Sequence, residues 1–413
     1  MSIKRGLPLM PTAHPSRRLG PVIIRPAVSG FLFTFLFASI LFGQLKEPPF
    51  RVDSLFDFRQ PQTLGLPPVA GAETITIFSP HNGDTKYNHA VVLYPFKGTL
   101  YAQWQTSALD EDAPDTHVLV SHSVDGEKWS TPVAFTDSTY ASPTSSGGWW
   151  SKGDSLVAYV NVWSNTGSGL REGRTEYRLS ADGVHWSPML GVIMKDGMPV
   201  PGVIEQGVHA LPGGRIITAF HLQPGLIATP FYTDDPLGIT GWTAGKMAHL
   251  PAADKRSSRE IEPGWFRRRD GALVMVFRDQ QSTFRQLASV SRDSGVTWAR
   301  PQIVDMPDSR SKQCAGNLPD GTAYMVNNPS GSKDRFPLVI TLSKDGFLFD
   351  RAYVLRSGGK DLQPMRFKGK HKRQGYSYPK SVVWGEYLYV SYATNKEDVE
   401  ITRVPLNHLM SPR

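Results

Sequence analysis

Apolar residues in this chain cluster in short runs separated by glycine-bearing turns, with no helical spacing. AVVLYPFKGTLYAQW, residues 90–104, holds two such runs on either side of a Lys-Gly pair. VHALPGGRIITAFHL, WFRRRDGALVMVFRD, AGNLPDGTAYMVNN and KSVVWGEYLYVSYA repeat the layout. Each reads as a β-hairpin closed by a Gly-containing turn. Most are followed by a third apolar run (HVLVSHS, TEYRLS, RQLASVS or PLVITLS), then a polar turn, then a fourth short run such as TPVAFTD or AYVLR. No stretch carries the period of an amphipathic helix.

The polar turn between third and fourth runs is itself a repeat, Ser-x-Asp-Gly-x-x-Trp. It occurs in SHSVDGEKWS and SADGVHW, with one extra residue in SRDSGVTW, and with Phe for Trp in SKDGFLF. Its serines are Ser123, Ser180, Ser291 and Ser343, at intervals of 57, 111 and 52. The long interval is about twice the others and predicts a degenerate copy near 235, where FYTDDPLGITGW (Phe231 to Trp242) lies. One further step lands near 398, in ATNKEDVE, and predicts a remnant there. Asp can accept hydrogen bonds from turn amides, Gly takes a φ other residues resist, and the aromatic ring packs beneath. These aspartates therefore read as architecture.

Four short antiparallel strands per unit, repeated at this period, define the blades of an all-β propeller. Six four-stranded blades are expected in a domain covering residues 74–413. Seven is the alternative, since residues 45–85 could hide partial strands. TITIFSP (Thr74 to Pro80) is placed to complete the last blade's sheet and close the ring, which removes exposed edges.

Residues 1–43 stand apart. They carry Lys4, Arg5, Arg17, Arg18 and Arg25 and no acid, and so account for most of the formal charge of +8. Within them VSGFLFTFLFASILFG, residues 28–43, is apolar and uncharged. A basic flank before a short apolar run is an export-signal pattern. An uncleaved membrane anchor stays open, although 16 residues fall short of the ~20 a bilayer span needs. The expectation is a secreted, periplasmic or otherwise extracytoplasmic protein, a linker at 44–73, and an N-terminal segment that meets membrane or export machinery. With the basic excess in the leader and no Lys/Arg stripe interleaved with aromatics, nucleic acid is not an expected partner. The single cysteine, Cys314, excludes an internal disulfide and any cysteine metal site. No cofactor or metal is expected, and the chain is expected to act as a monomer.

In a propeller the first strand of every blade lines the axis, and the loops between second and third strands share the face where those first strands begin. The strand starts place Tyr87 and His89, Glu205 and Gln206, Glu260 and Glu262, Lys312 and Gln313, and Tyr376 and Tyr378 together. The loops add Asp110, Glu111 and Asp112, Arg171 and Arg174, His221, Arg278, Arg335 and Lys396. Carboxylates, arginines and tyrosines so gathered suit an anionic sugar, because arginine grips a carboxylate with two parallel hydrogen bonds. The expected partner is an acidic glycan.

Four such turns in a propeller resemble the sialidase (neuraminidase) superfamily. NNPSGSKDRFPLVITLS resembles the family's Asn-Pro stretch and would make Arg335 a carboxylate-binding arginine. IEPGWFRRRDGALVMVFRD is similar to the family's Glu-headed hairpin ending in Arg, and maps Glu262 and Arg278. GYSYPKSVVWGEYLYVSY resembles the hairpin opened by the catalytic tyrosine, with Tyr378 favoured over Tyr376. TSALDEDAPDT places Asp110 or Asp112 as the acid/base, with Asp110 taken first. The resemblance implies an exo-glycosidase using Tyr378 as nucleophile, Glu262 as its partner and Asp110 as acid/base. Arg278 and Arg335 would be carboxylate clamps, with Glu205, Tyr87, Lys312 and Gln313 lining the substrate site. One part departs: the family's Arg-Ile-Pro in the first blade reads KYNHAVV here, with Lys86 the only nearby cation. Asn88-His89 with an EDAP loop also resembles uronate-specific polysaccharide lyases, in which a histidine abstracts the proton beside the uronate carboxylate. That reading makes His89 the base. A third possibility is a non-catalytic glycan-binding propeller.

Overall fold

The computed structural model describes residues 47–410 except 82, 137–141, 165–171 and 253–255. The hydrophobic leader therefore lies outside the described residues. Among those described, no helix is long and apolar enough to cross a membrane, and the only helical turns are two three-residue 3-10 turns.

Six antiparallel sheets stand around a common axis. Blade 1 runs Tyr87–Phe96, Thr99–Ser107, His117–Ser123 and Val133–Ala134. Blade 2 runs Thr144–Lys152, Ser155–Ser164, Glu172–Ser180 and Leu190–Gly191. In blade 3 the inner edge is split into Gly202–Ile204 and His209–Ala210, both paired to Ile216–Leu222, followed by Ile227–Thr233 and Thr243–Ala244. Blade 4 comprises Glu260–Arg267, Leu273–Asp279, Arg285–Ser291 and Gln302–Pro307. Blade 5 comprises Cys314–Asn317, Ala323–Asn327, Leu338–Ser343 and Arg351–Arg356. Blade 6 takes Tyr376–Trp384, Tyr387–Thr394 and Asp398–Pro405 from the C-terminal part of the chain. Its outer strand is Glu73–Phe78, paired Ile75 to Ile401. The ring thus closes as the strand pattern predicts, and six blades account for the sheet.

Each blade-to-blade seam is sealed by its own apolar cluster, which is why the hairpin strands read as nearly continuous hydrophobic text. Between blades 1 and 2, Val92, Phe96 and Tyr101 meet Trp149, Leu156 and Val160. Between blades 6 and 1, Tyr389, Val399 and Ile401 meet Val91, Leu100 and Trp104. The stretch read as a linker lies against the ring from Pro48 onward. Phe50 is fully buried against Phe266 and Phe349 in the seam between blades 4 and 5, Arg51–Val52 pairs in parallel with Leu348–Phe349, and Val69 donates to the Val354 carbonyl.

The repeated turns have the expected chemistry. Asp125 Oδ1 accepts from the amides of Glu127 (2.9 Å) and Lys128 (2.8 Å), and Ser123 Oγ accepts from Gly126 N at 2.8 Å. Asp182, Asp293 and Asp345 repeat this. The degenerate copy is real: Asp235 accepts from Leu237, Ile239 and Thr240. The remnant expected near 398 is not one of these turns. Residues 395–397 join the second and third strands of blade 6, and no third-to-fourth turn is needed there because the fourth strand comes from the N-terminal side. The turn glycines do a second job. Gly183 has φ +75°, and a Cβ there would collide with the Tyr101 hydroxyl of the preceding blade, which itself donates to Asp182 O. Gly183→Ala combines a left-handed backbone with that clash and should cost about 2 kcal/mol in denaturant melts. A loss below about 0.5 kcal/mol would show the turn free to move off its neighbour.

Candidate active site

The axial face holds a cavity of about 480 Å³ lined, among others, by His89, Glu111, Asp112, Glu205, His221, Glu262, Lys312 and Tyr378. Four first strands are broken by a register slip; in blade 2 it falls between Ser146 and Gly148, and in the other three a non-glycine residue in left-handed backbone marks it. In those three, pairing slips between His89 and Val92, between Ile261 and Gly264, and between Ser377 and Lys380. The residues at the slips, Ala90, Glu262 and Tyr378, have φ of +56°, +54° and +56°. A bulge swings a side chain out of the strand's alternation. It turns Glu262 and Tyr378 into the mouth, where a regular strand would place one face toward the neighbouring blade. Pro263 and Pro379 follow directly. Proline has no N–H to leave unpaired, so a bulge is where a strand tolerates it.

Left-handed backbone at a non-glycine residue costs roughly 1–2 kcal/mol and persists only where neighbours over-determine it. At Glu262 they do. Its amide donates to His221 Nε2 (3.1 Å), and its carbonyl accepts from Gln313 Nε2 (3.2 Å), which also donates to Val276 O at 2.8 Å. Gln313, expected to touch substrate, instead staples this bulge. His221 does the same from blade 3, a role the sequence does not disclose because it depends on a contact across blades.

Tyr378 donates its hydroxyl to Glu262 Oε1. Arg278 Nη1 spans the pair, 3.0 Å from Glu262 Oε2 and 3.2 Å from Tyr378 Oη. Arg335 lies with its Cζ 5.7 Å from the centre of the Tyr378 ring and donates to Ser377 Oγ at 2.8 Å. The Nε atoms of Arg278 and Arg335 are buried without a hydrogen-bond partner. Burial drives the Tyr378 hydroxyl pKa well above its ordinary value, and the Glu262 charge adds to this, while Arg278 and Arg335 oppose it. For Glu262 burial also raises the pKa, but Arg278, Lys312 and the Tyr378 hydroxyl outweigh it and hold the carboxyl below the usual range. The pair at neutral pH is therefore a protonated phenol on an ionised carboxylate.

His89 packs its ring 4.2 Å from that of Tyr378 and 5.9 Å from that of Tyr87. Both its ring nitrogens are buried without partners. Burial, then the charges of Lys396, Arg335 and Lys312, push its pKa well down, so the imidazole is neutral. Tyr87 is fully buried, its hydroxyl accepting from Gln105 Nε2 at 2.9 Å. Glu205 and Lys312, both expected as substrate contacts, are paired to each other. Lys312 also donates to Gln206 Oε1 at 2.8 Å, and Lys380 approaches Glu205 at 3.5 Å.

Four expected members lie elsewhere. The carboxylate of Asp110 turns away and accepts from Lys370 N at 2.7 Å; Asp112, in left-handed backbone at φ +62°, lines the cavity in its place. Adjacent residues of a tight loop point in different directions, and only the fold selects between them. Tyr376 donates to Ser357 O at 2.8 Å inside the seam between blades 5 and 6. Glu260 accepts from His249 Nδ1 at 2.6 Å, away from the cavity lining. Arg174 pairs with Glu176, and Arg171 lies outside the described residues.

A closed six-bladed ring with Asp-bearing turns and a tyrosine–glutamate pair backed by arginines at its mouth defines a class of β-propeller. The chain belongs to the BNR repeat-like domain family, whose model matches residues 98–390. A search of curated proteins finds no match. Among solved structures, one described as a sialidase is 19% identical with a TM-score of 0.53, covering 86% of this chain and 35% of its own. A protein of unknown function from Dyadobacter fermentans is 15% identical with a TM-score of 0.61, covering 81% of this chain and 99% of its own. A leech intramolecular trans-sialidase bound to 2,7-anhydro-Neu5Ac is 12% identical with a TM-score of 0.61, covering 82% and 71%. This chain thus spans about a third of the first of these, and the likeness establishes a shared fold.

Proposed function

We propose that this protein is an exported, sialidase-like exo-glycosidase that hydrolyses a terminal acidic sugar from glycans. The observation that carries the reading is the Tyr378 hydroxyl seated on Glu262 with Arg278 spanning both atoms at the cavity. An anomeric carbon that bears a carboxylate repels a carboxylate nucleophile, and a neutral phenol avoids this. Tyr378 Oη attacks that carbon as its proton passes to Glu262. The bond to the leaving oxygen breaks, and Asp112 supplies that oxygen's proton. Water then attacks the same carbon, giving its proton to Asp112, and the phenol leaves with the proton held on Glu262. Arg278 and Arg335, both beside Tyr378, take the sugar carboxylate in this reading.

A second reading is favoured by His89 itself. A neutral, buried imidazole with two unpartnered nitrogens at a cavity wall is the state a proton-abstracting base requires. It supports β-elimination of a uronate. Digestion of mixed acidic glycans separates the two. Hydrolysis releases an acidic monosaccharide carrying the mass of one water and no new ultraviolet absorbance. Elimination gives unsaturated products without that mass and removes Tyr378 as nucleophile. No product by either measure leaves a glycan-binding propeller. If hydrolysis is seen, Asp112→Asn should lower kcat/KM for an alkyl glycoside about 100-fold while sparing kcat/KM for one with an activated aryl leaving group, whose kcat falls because the water step loses its base. Asp110→Asn should leave both unchanged.

A further inference from the structure

The stretch Arg366–Gln374, RFKGKHKRQ, carries five cations and no acid. In the sequence it looks like a solvated insertion before blade 6. In the fold it is clamped. The amides of Arg366 (3.0 Å) and Phe367 (2.8 Å) donate to the buried carboxylate of Glu397. Arg366 pairs with Asp398, and Lys372 Nζ reaches the carbonyls of Lys86 (2.7 Å) and Phe367 (3.1 Å). The stretch is also tied to the acidic loop of blade 1, through Lys370 N to Asp110 Oδ1 and Glu111 N to Lys370 O at 3.3 Å. Lys396, paired with Glu111 at the cavity wall, donates to His371 O at 3.1 Å. At its other end Gly375 pairs with Arg335, whose carbonyl accepts from Tyr376 N at 2.7 Å.

This loop therefore borders the mouth from the Asp110–Asp112 corner to Arg335. Two of its cations are used as anchors. The other three, Lys368, Lys370 and Arg373, are exposed and make no ion pair to a described residue. Such an arrangement leaves a rigid backbone presenting three unneutralised charges. The side of the site matters. In the hydrolysis proposed above, on which this inference rests, Asp112 protonates the leaving oxygen, so the departing part of the glycan sits beside the blade-1 loop. The cationic rim flanks that corner.

We infer that the rim is a subsite for an acidic residue in the departing part of the glycan. The substrate is then a chain of several anionic sugars, where a neutral glycan with one acidic cap would leave the rim's charges unmatched. Fixed charges beside a cleft raise the local concentration of a polyanion and align it, with an effect that salt weakens.

The test uses the full chain and the triple variant Lys368→Gln/Lys370→Gln/Arg373→Gln against two probes. One is a short oligomer of linked sialic acids; the other is an aryl sialoside, whose departing group is uncharged. The variant should lose about tenfold in kcat/KM on the oligomer, a factor of about two for each exposed contact, and keep its rate on the aryl sialoside. Added salt should slow the parent on the oligomer and barely affect the variant. Equal loss on both probes, or no loss on either, overturns the rim. If the parent cleaves neither probe, sialic acid is not the terminal sugar, the hydrolase reading is decided by the mixed-glycan digestion above, and titration calorimetry with the oligomer decides the rim alone. Tighter binding by the parent than by the variant sustains it; equal or no binding by both overturns it.

Discussion

Tyr378→Phe is expected to lower kcat for a terminal acidic sugar by at least about a thousandfold while leaving the fold intact. The phenyl ring keeps its contact with His89, so the melting temperature should stay within a few degrees. Only the hydroxyl that bridges to Glu262 and Arg278 is removed. The same geometry dictates a pH profile. Tyr378 titrates well above its ordinary pKa because of burial and the Glu262 charge, so it cannot act as a preformed phenolate near neutrality. Its proton has to move to Glu262 as the bond forms, and Glu262 must therefore be ionised beforehand. Burial disfavours that ionisation, but Arg278 and Lys312 more than offset it, so the carboxyl titrates below its usual range. The acid limb of kcat/KM should thus fall below the ordinary glutamate pKa of about 4.3, and Glu262→Gln should abolish that limb together with most of the rate. A fluorinated sugar that slows release of the covalent intermediate should add its mass to the peptide holding Tyr378. Retention of more than a tenth of the activity by the phenylalanine variant would remove Tyr378 from the reaction.

Glu205→Gln should destabilise the protein by about 3–5 kcal/mol, the cost of breaking a buried pair by deleting one partner. One carboxylate serves two axial lysines: Lys312 is paired to Glu205 and Lys380 stands 3.5 Å from it, with His221 at 3.9 Å on the other oxygen. All four side chains are buried. Burial alone would raise the carboxyl pKa, yet Lys312, Lys380 and His221 bring it to about 2. A depressed carboxyl contributes stability that is fully present above its unfolded pKa, about 4.3, and lost as pH falls toward the folded value. The parent should therefore weaken steadily between about pH 4.5 and 2 in denaturant melts, with the glutamine variant much flatter over the same window. Adding Lys312→Met should recover part of the loss, since an apolar side chain needs no counter-charge. A variant within about 1 kcal/mol of the parent at pH 7 would show these lysines to be hydrated through the axis instead of paired.

Much of the site was readable because it follows from position in a repeat. Strand starts and second-to-third-strand loops converge in any propeller, and His89, Glu205, Glu262, Lys312 and Tyr378 do line one cavity. What the repeat could not supply is direction within a few residues. Asp110 and Asp112 sit in the same loop, and only the hydrogen bond from Lys370 N turns the first away. Glu260 and Glu262 begin the same strand, and Tyr376 and Tyr378 another. The bulges send the second of each pair to the mouth and leave the first buried. A local signal for those bulges existed in Glu262-Pro263 and Tyr378-Pro379, since a proline inside an inner strand is tolerated chiefly where the ladder is already broken.

Hairpins and turn boxes are set by interactions within a few residues or by a period of about 55, so the amino-acid order alone determines them. The degenerate box at Thr233 and the false one near 398 mark the limit of that reasoning, because periodicity cannot tell which edge of the final sheet the N-terminal strand will fill. The stapling of Glu262 by His221 and Gln313, the sharing of Glu205 by two lysines, and the clamping of the cationic rim to blade 1 were decided by tertiary structure. Each joins residues from different blades across the axis or around the mouth. Their energies depend on distance and on exclusion of water, and neither exists until the ring has closed.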